Sequence, residues 1–311
     1  MRHRNAVFAV LAAALLAGPA LAQVPPGIAQ QLRAIGRVVD TPRTGAIYAP
    51  FQRKPPYDGV KFVRDLKYGP GPMDRFDVFT PAAKSKHLRP VILFVHGGAF
   101  IGGDKNKDRD GNEWPFSDNI MLWAVAQDMV GVNIDYPLAP GATYPTVQKD
   151  IAETIVWIQK NIRRYGGDPN RVYLYGHSAG ATQVATYVSH PEFYPGGKSG
   201  LRGAIMTSGT YQMSATDKPN VYFGAPETLV ERSAQDGLIK TSIPLFFTTA
   251  ELDPPAMVSS AQTLNKALCD AGKCPAFFAV LKDESHMSES FSVNTTDHSV
   301  TDPLLTFIKA H

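Results

Sequence analysis

The chain has 311 residues, with 31 basic and 28 acidic side chains, a formal charge of +3 and 44% hydrophobic residues. So near-neutral a balance gives no electrostatic case for nucleic acid or a membrane surface as partner. The length suits one α/β domain with a large buried core.

Residues 1–22 stand apart: Arg2, His3 and Arg4 precede an apolar run at 6–17 and then Ala20-Leu21-Ala22. This pattern predicts an export signal cleaved before Gln23, and hence a periplasmic or secreted protein. The apolar run is shorter than the roughly 20 residues a spanning helix needs, so no stable membrane anchor is expected. Residues 23–59 are rich in Pro and Gly and show no sustained period, and are expected to wrap the surface or help cover a site.

From residue 60 the texture becomes that of one domain, 60–311. Short apolar runs suited to strands occur at 61–68, 75–79, 91–95, 130–134, 172–175, 201–206, 244–248 and 277–281. Helical spacing is clearest at 145–165, where Val147, Ile151, Ile155, Ile158 and Ile162 share one face before Gly166-Gly167 stops the helix. Ala181, Val184, Ala185 and Val188 mark a second helix, and residues 257–268 a third. Strands alternating with helices of this length predict an α/β fold, a mainly parallel sheet of about eight strands with helices on both faces. The stretch 208–240 is the candidate for a small cap.

Gly176-His177-Ser178-Ala179-Gly180 lies between the strand at 172–175 and the helix that follows. A serine on so sharp a strand-to-helix turn needs small neighbours at Gly176 and Gly180, and the turn presents its hydroxyl at a helix N-terminus. His96-Gly97-Gly98-Ala99-Phe100 directly follows the strand at 91–95. Glycines there let main-chain N–H groups approach an acyl oxygen as it becomes an anion, so Gly97, Gly98 and Ala179 are the candidate oxyanion-hole donors. His96 is expected to brace this loop.

A serine hydroxyl needs an imidazole base, and the imidazole needs a carboxylate to fix its tautomer. Asp253 follows the strand at 244–248 and His286 follows the strand at 277–281, as two successive loops on one sheet edge require. Glu251 is the runner-up acid, while His87, His190, His298 and His311 fall at less suitable places. The expected catalytic set is Ser178, His286 and Asp253. Because an imidazole base must be neutral, activity is expected to fall in acid through about pH 6 to 7.

These motifs together resemble the α/β-hydrolase superfamily, and within it the bacterial carboxylesterase and lipase branch with hormone-sensitive-lipase-like enzymes. The resemblance runs from about residue 60 to the C-terminus and also rests on Asp135-Tyr136-Pro137-Leu138-Ala139-Pro140 and Tyr165-Gly166-Gly167-Asp168-Pro169-Asn170. It implies cleavage of carboxylic esters through an acyl-enzyme, with a small-molecule ester as the partner, while aromatic residues in the loops and the lack of a long apolar lid in the sequence favour short to medium acyl or aryl groups. Three positions depart from the family pattern. Ala99 replaces a frequent third glycine and narrows the space for bulky tertiary alcohols. Pro137 stands where the family often carries Arg. His177 stands where the hormone-sensitive-lipase-like branch has Asp and the type-B carboxylesterases Glu, which pulls the chain toward feruloyl-esterase-like and formamidase-like relatives. A peptidase on this triad usually carries a propeller or large cap, and a binding protein on this fold usually lacks a triad member.

Phe100, Trp114, His177, Tyr211, Tyr222 and Phe223 are the candidate pocket residues, with loop packing as the competing role. Cys269 and Cys274 are expected to form a local disulfide after export. No cofactor and no metal are expected. The oxygen-bearing loop 106–111 lacks the acid that a calcium loop needs six residues later, where Ser117 stands.

Overall fold

The computed structural model describes residues 23–107 and 114–311. The expected leader at 1–22 lies outside the described residues, as do Asp108, Arg109, Asp110 and Gly111 of the oxygen-bearing loop.

Two helices open the described chain, α1 (Pro26–Ile35) and α2 (Thr41–Tyr48). No helix was expected here, because the prolines suggested an irregular wrap. Pro26 and Pro42 instead occupy helix first turns, where a missing N–H costs nothing. Asp40 caps α2 by accepting from the Arg43 N–H at 2.8 Å.

The elements that follow are β1 (Val60–Lys67), β2 (Arg75–Pro81), β3 (Arg89–Val95), α3 (Asn119–Ala126), β4 (Val130–Ile134), α4 (Thr146–Asn161) and β5 (Gly167–His177). Then come α5 (Ala179–Ser189), β6 (Gly203–Thr207), α6 (Pro226–Arg232), α7 (Gln235–Lys240), β7 (Leu245–Ala250), α8 (Pro255–Asp270), β8 (Phe277–Leu281), α9 (Ser288–Phe291) and α10 (Thr301–Ala310). The eight strands form one sheet in the order β1-β2-β4-β3-β5-β6-β7-β8. Only the β1–β2 and β2–β4 pairings are antiparallel. This is the α/β architecture expected, with each apolar run of the sequence in a strand.

The two-residue period of a strand sorts side chains onto opposite faces. In β3, Val91, Leu93 and Val95 join one core, while Ile92 and Phe94 join the other. In β5, Val172 and Leu174 face the first core, and Tyr173 and Tyr175 the second. The first core is closed by Val147, Ile151, Ile155 and Ile158 of α4 and by the small-residue helix α5, which is buried along its whole length. The second is closed by α3 and α10. The outer strand β1 is largely exposed and carries Lys61, Arg64, Asp65 and Lys67, charges that discourage edge-to-edge pairing.

The stretch 208–240, expected to form a small cap, contributes Tyr211, Tyr222, Phe223, Leu229, Ala234 and Leu238 to the first core beside α4 and α5. Residues 23–59 do more near the loops that carry Asp253 and His286. Val24, Ile28, Leu32 and Tyr48 form a third cluster with Phe116 and Phe291, against which Trp114, Leu252 and Met287 pack.

Replacing Ile155, fully buried on α4, with Ala is expected to cost about 2–5 kcal/mol of folding stability, read from urea unfolding. A change near zero would mean that α4 does not seal the first core.

Candidate active site

Ser178 directly follows β5 and stands at the N-cap position of α5 with φ 58° and ψ −124°, a left-handed conformation rare for a residue with a side chain. Close packing around the turn enforces it. A Cβ on Gly176 would run into the Gly180 carbonyl, and one on Gly180 into the Val95 carbonyl. The Ser178 N–H donates to the Thr207 carbonyl at 2.9 Å, tying the turn to the end of β6.

His286 lies in the loop after β8 and Asp253 in the turn after β7. Ser178 Oγ and His286 Nε2 are 2.8 Å apart, and His286 Nδ1 and Asp253 Oδ1 are 2.7 Å apart. With Asp253 ionised, Nδ1 carries the proton and donates, leaving Nε2 to accept from the serine hydroxyl. Asp253 is fully buried, which opposes its ionisation. Donation from His286, Ser208 and Thr249 outweighs that burial and holds the carboxyl below the usual range. Its Oδ2 accepts from Ser208 Oγ at 2.6 Å, Thr249 Oγ1 at 2.7 Å and the Ala250 N–H at 2.8 Å. Ser208 and Thr249 were not singled out by the sequence, although both sit at the ends of expected strands.

The rejected candidates lie elsewhere. Glu251 accepts from the Asp283 N–H at 2.8 Å, and His190 is held by Ser189 and the Glu231 carbonyl. His298 faces Thr301, and the His311 ring packs on Phe307.

The loop after β3 turns through three consecutive positive φ values, 123° at Gly98, 53° at Ala99 and 68° at Phe100. A side chain at Gly98 would strike the Gly102 carbonyl, and a Cβ on Gly97 would lie 3.1 Å from the Ser178 Cβ. Among the described residues, the N–H groups of Gly97, Gly98 and Ala179 donate to no protein acceptor. The loop is braced from behind. His96 stacks on Tyr136 at 4.2 Å between ring centroids, and the Tyr136 hydroxyl donates to the His96 carbonyl at 2.6 Å.

Four of the six candidate pocket residues are not surfaces open to a ligand. His177 is buried, and its Nε2–H donates to the His286 backbone carbonyl at 2.7 Å. Burial, with the neighbouring His286, pushes its imidazole down to about 3, so it stays neutral and pins the base loop. Tyr222 is buried, donating to Gln148 and accepting from the Val147 N–H, and Phe223 and Tyr211 are buried in the same core. Phe100 is partly exposed and stacks on Tyr222 at 5.6 Å. Trp114 packs edge-on against Phe116 and Phe291. These side chains show why aromatic residues in loops cannot be sorted by sequence, since packing and ligand contact use the same residue types.

Cys269, in the last turn of α8, is joined by a disulfide to Cys274 beyond the helix end. Among the described residues, no group of three or more His, Cys, Asp or Glu is placed to hold a metal ion.

Residues 143–311, more than half of the chain, match the model of the prolyl oligopeptidase family, and residues 76–189 match the BD-FAE model. The esterase LipQ of Mycobacterium tuberculosis is 29% identical over 244 residues, covering 71% of this chain and 56% of that protein. The probable isoprenylcysteine alpha-carbonyl methylesterase ICMEL2 of Arabidopsis thaliana is 36% identical over 118 residues, covering 38% of this chain and 26% of its own length. The chain thus spans about half or less of these relatives. The solved structure of a thermostable esterase from Pseudomonas putida ECU1011 superposes with a TM-score of 0.66 at 18% identity, covering 93% of this chain and 98% of the other. Sheet order and superposition together show the α/β-hydrolase fold. The chain belongs to the prolyl oligopeptidase family within that class, and its similarities include carboxylesterases.

Beneath the base loop, Glu284 is wholly buried against Ser288 and Ser299. Burial, then the nearby Asp297 carboxylate, pushes it up to about 8. A free glutamate titrates near 4.3, so the folded state keeps a proton that the unfolded state releases. Its contribution to stability is full below about pH 4 and is lost as pH rises toward 8, at about 1.4 kcal/mol per pH unit in between. The thermal midpoint is therefore expected to fall on moving from about pH 6 to about pH 8.5, and less steeply in Glu284→Gln. Equal slopes in the two proteins would contradict the buried proton.

Proposed function

We propose that this protein is a serine hydrolase of carboxylic esters, with Ser178 as nucleophile, His286 as general base and Asp253 as its orienting carboxylate. The observation that carries this reading is the chain of contacts from hydroxyl to imidazole to carboxylate at 2.8 and 2.7 Å, in which an ionised Asp253 leaves Nε2 free to accept the serine proton. Ser178 Oγ attacks the acyl carbon as His286 Nε2 takes its proton. The carbonyl oxygen becomes an anion held by the N–H groups of Gly97, Gly98 and Ala179. The tetrahedral adduct collapses to an acyl-enzyme as the imidazolium protonates the departing alcohol. Water, activated by the same imidazole, then releases the acid and restores Ser178.

Esters of short to medium acyl or aryl acids are the favoured substrates. Phe100, partly exposed directly after the oxyanion turn, offers an aromatic wall, and Ile101 beside it is half exposed. The relatives, an esterase and a probable isoprenylcysteine alpha-carbonyl methylesterase, point to the same bond. The family match makes the amide bond the competing reading. A series of p-nitrophenyl esters assayed beside a prolyl p-nitroanilide separates the two, the ester reading requiring turnover of the esters and little or none of the anilide. Ser178→Ala is expected to lower ester turnover at least about a thousandfold while leaving the fold intact. One equivalent of a fluorophosphonate is expected to label the wild-type protein and none that variant. Turnover or labelling that survives the substitution overturns the mechanism.

Export follows as part of the same proposal. The disulfide between Cys269 and Cys274 suits an oxidising compartment, in agreement with the composition of residues 1–22. The mature protein is expected to begin at Gln23 on N-terminal sequencing. An intact Met1 on protein recovered from the cytoplasm would contradict export.

A further inference from the structure

Behind Asp253 lies a second carboxyl that the mechanism does not use. Ser208, just past β6, is fully buried and has φ 50°, a left-handed conformation for a residue with a side chain. Its N–H donates to the Thr248 carbonyl at 3.0 Å, which fixes the strand end. Its hydroxyl sits between Asp253 Oδ2, at 2.6 Å, and Glu289 Oε2, with which it is also hydrogen-bonded. Glu289 belongs to α9, three residues after the base, and is fully buried.

Counting protons decides what this arrangement is. Two oxygen-to-oxygen contacts need two protons, and the Ser208 hydroxyl supplies one. The other must sit on a carboxyl. Asp253 is a poor holder, because Thr249, Ala250 and His286 already donate to it. Glu289 is the better one. Among the described residues, Thr248 is the one other side-chain hydroxyl that faces this carboxyl, and Oε1 makes no hydrogen bond of good geometry, so an anion there would be far costlier to bury than a neutral acid. The titratable groups that face it are Asp253 and Glu284 from the acid and base loops, Tyr175 from β5 and Tyr211 after β6. Burial, followed by the Asp253 charge, pushes the Glu289 carboxyl well above its usual range.

We propose that Glu289 is a positioning residue that stays neutral and donates to Ser208, which donates in turn to Asp253, extending the serine–histidine–aspartate chain to five members. The proposal rests on the ester-hydrolase reading of Ser178. A protonated Glu289 aims the single Ser208 proton at Asp253 and holds the carboxylate in the plane that His286 needs. An ionised Glu289 would compete for that proton and set a second negative charge near the imidazole, holding the imidazolium and moving the acid limb of activity to higher pH.

The test combines kinetics with a direct reading of the proton. Glu289→Gln keeps a donor and is expected to retain kcat/KM within about threefold of wild type, with the acid limb of its pH profile unmoved. Glu289→Met removes the donor and is expected to lower kcat about tenfold with little change in KM. In a Ser208→Ala background the same Met substitution is expected to cost nothing further, because the coupling runs through that hydroxyl. Active sites are counted in each variant by fluorophosphonate titration, so a poorly folded variant is not mistaken for a slow one. Infrared difference spectra of wild type against Glu289→Gln at neutral pH are expected to show the C=O stretch of a protonated carboxyl in the wild type alone. Absence of that band, an acid limb that moves down by about one pH unit in Glu289→Gln, or an equal loss from Glu289→Met with and without Ser208 would each overturn the proposal. If the wild type took no fluorophosphonate, the ester-hydrolase reading would fail instead, and the infrared band would still report on Glu289.

Discussion

The site depends on how closely three backbones can approach. The turn at Ser178 requires Gly176 to lie against Gly180, and Gly180 against the end of β3 at Val95. Only then can a serine be held at positive φ with its hydroxyl raised at the head of α5. The same contact carries the β3 loop, with Gly97 and Gly98, to the side of Ser178. One steric constraint thus places both the hydroxyl and the N–H groups beside it, and the sheet order, with β3 next to β5, makes it possible.

The second constraint is electrostatic. Burying a carboxylate is costly unless donors surround it, and the site resolves this differently for neighbouring acids. Asp253 has four donors besides its surroundings in the fold and stays ionised: His286, Ser208, Thr249 and the Ala250 N–H. Glu284, fully buried beside Asp297, keeps its proton instead. Neutral His177, pinning the base loop through the His286 carbonyl, adds no competing charge. The acid and base loops also carry Leu252 and Met287 into the cluster formed by α1 and α2, and Arg37 donates to the Asp253 carbonyl at 3.3 Å. The N-terminal segment therefore supports the loops that bear Asp253 and His286.

Much of this was legible in the sequence because it rests on local rules. Strand period and glycine placement located all eight strands and the turn at Ser178, and the spacing of Asp253 and His286 after successive strands singled out the two side chains found beside it. What stayed hidden depends on contacts across the fold. Pro26 and Pro42 looked like breakers of structure, though they begin helices. Tyr211, Tyr222 and Phe223 looked available to a ligand, yet they complete the core beside α4 and α5. Ser208 lies 45 residues before Asp253 and Glu289 lies 36 after it, and no pattern of residue types marks them as neighbours. Glu289 in particular has the spacing of an ordinary charged helix residue, and only its burial distinguishes it.

The central claim is that a covalent acyl group passes through one hydroxyl, and rapid mixing with an activated ester followed by acid quench and peptide mass analysis tests it most directly. The account predicts a burst of about one alcohol per protein and an acyl adduct confined to the peptide bearing Ser178. Hydrolysis with no burst and no adduct there, or an adduct on a different side chain, would contradict it.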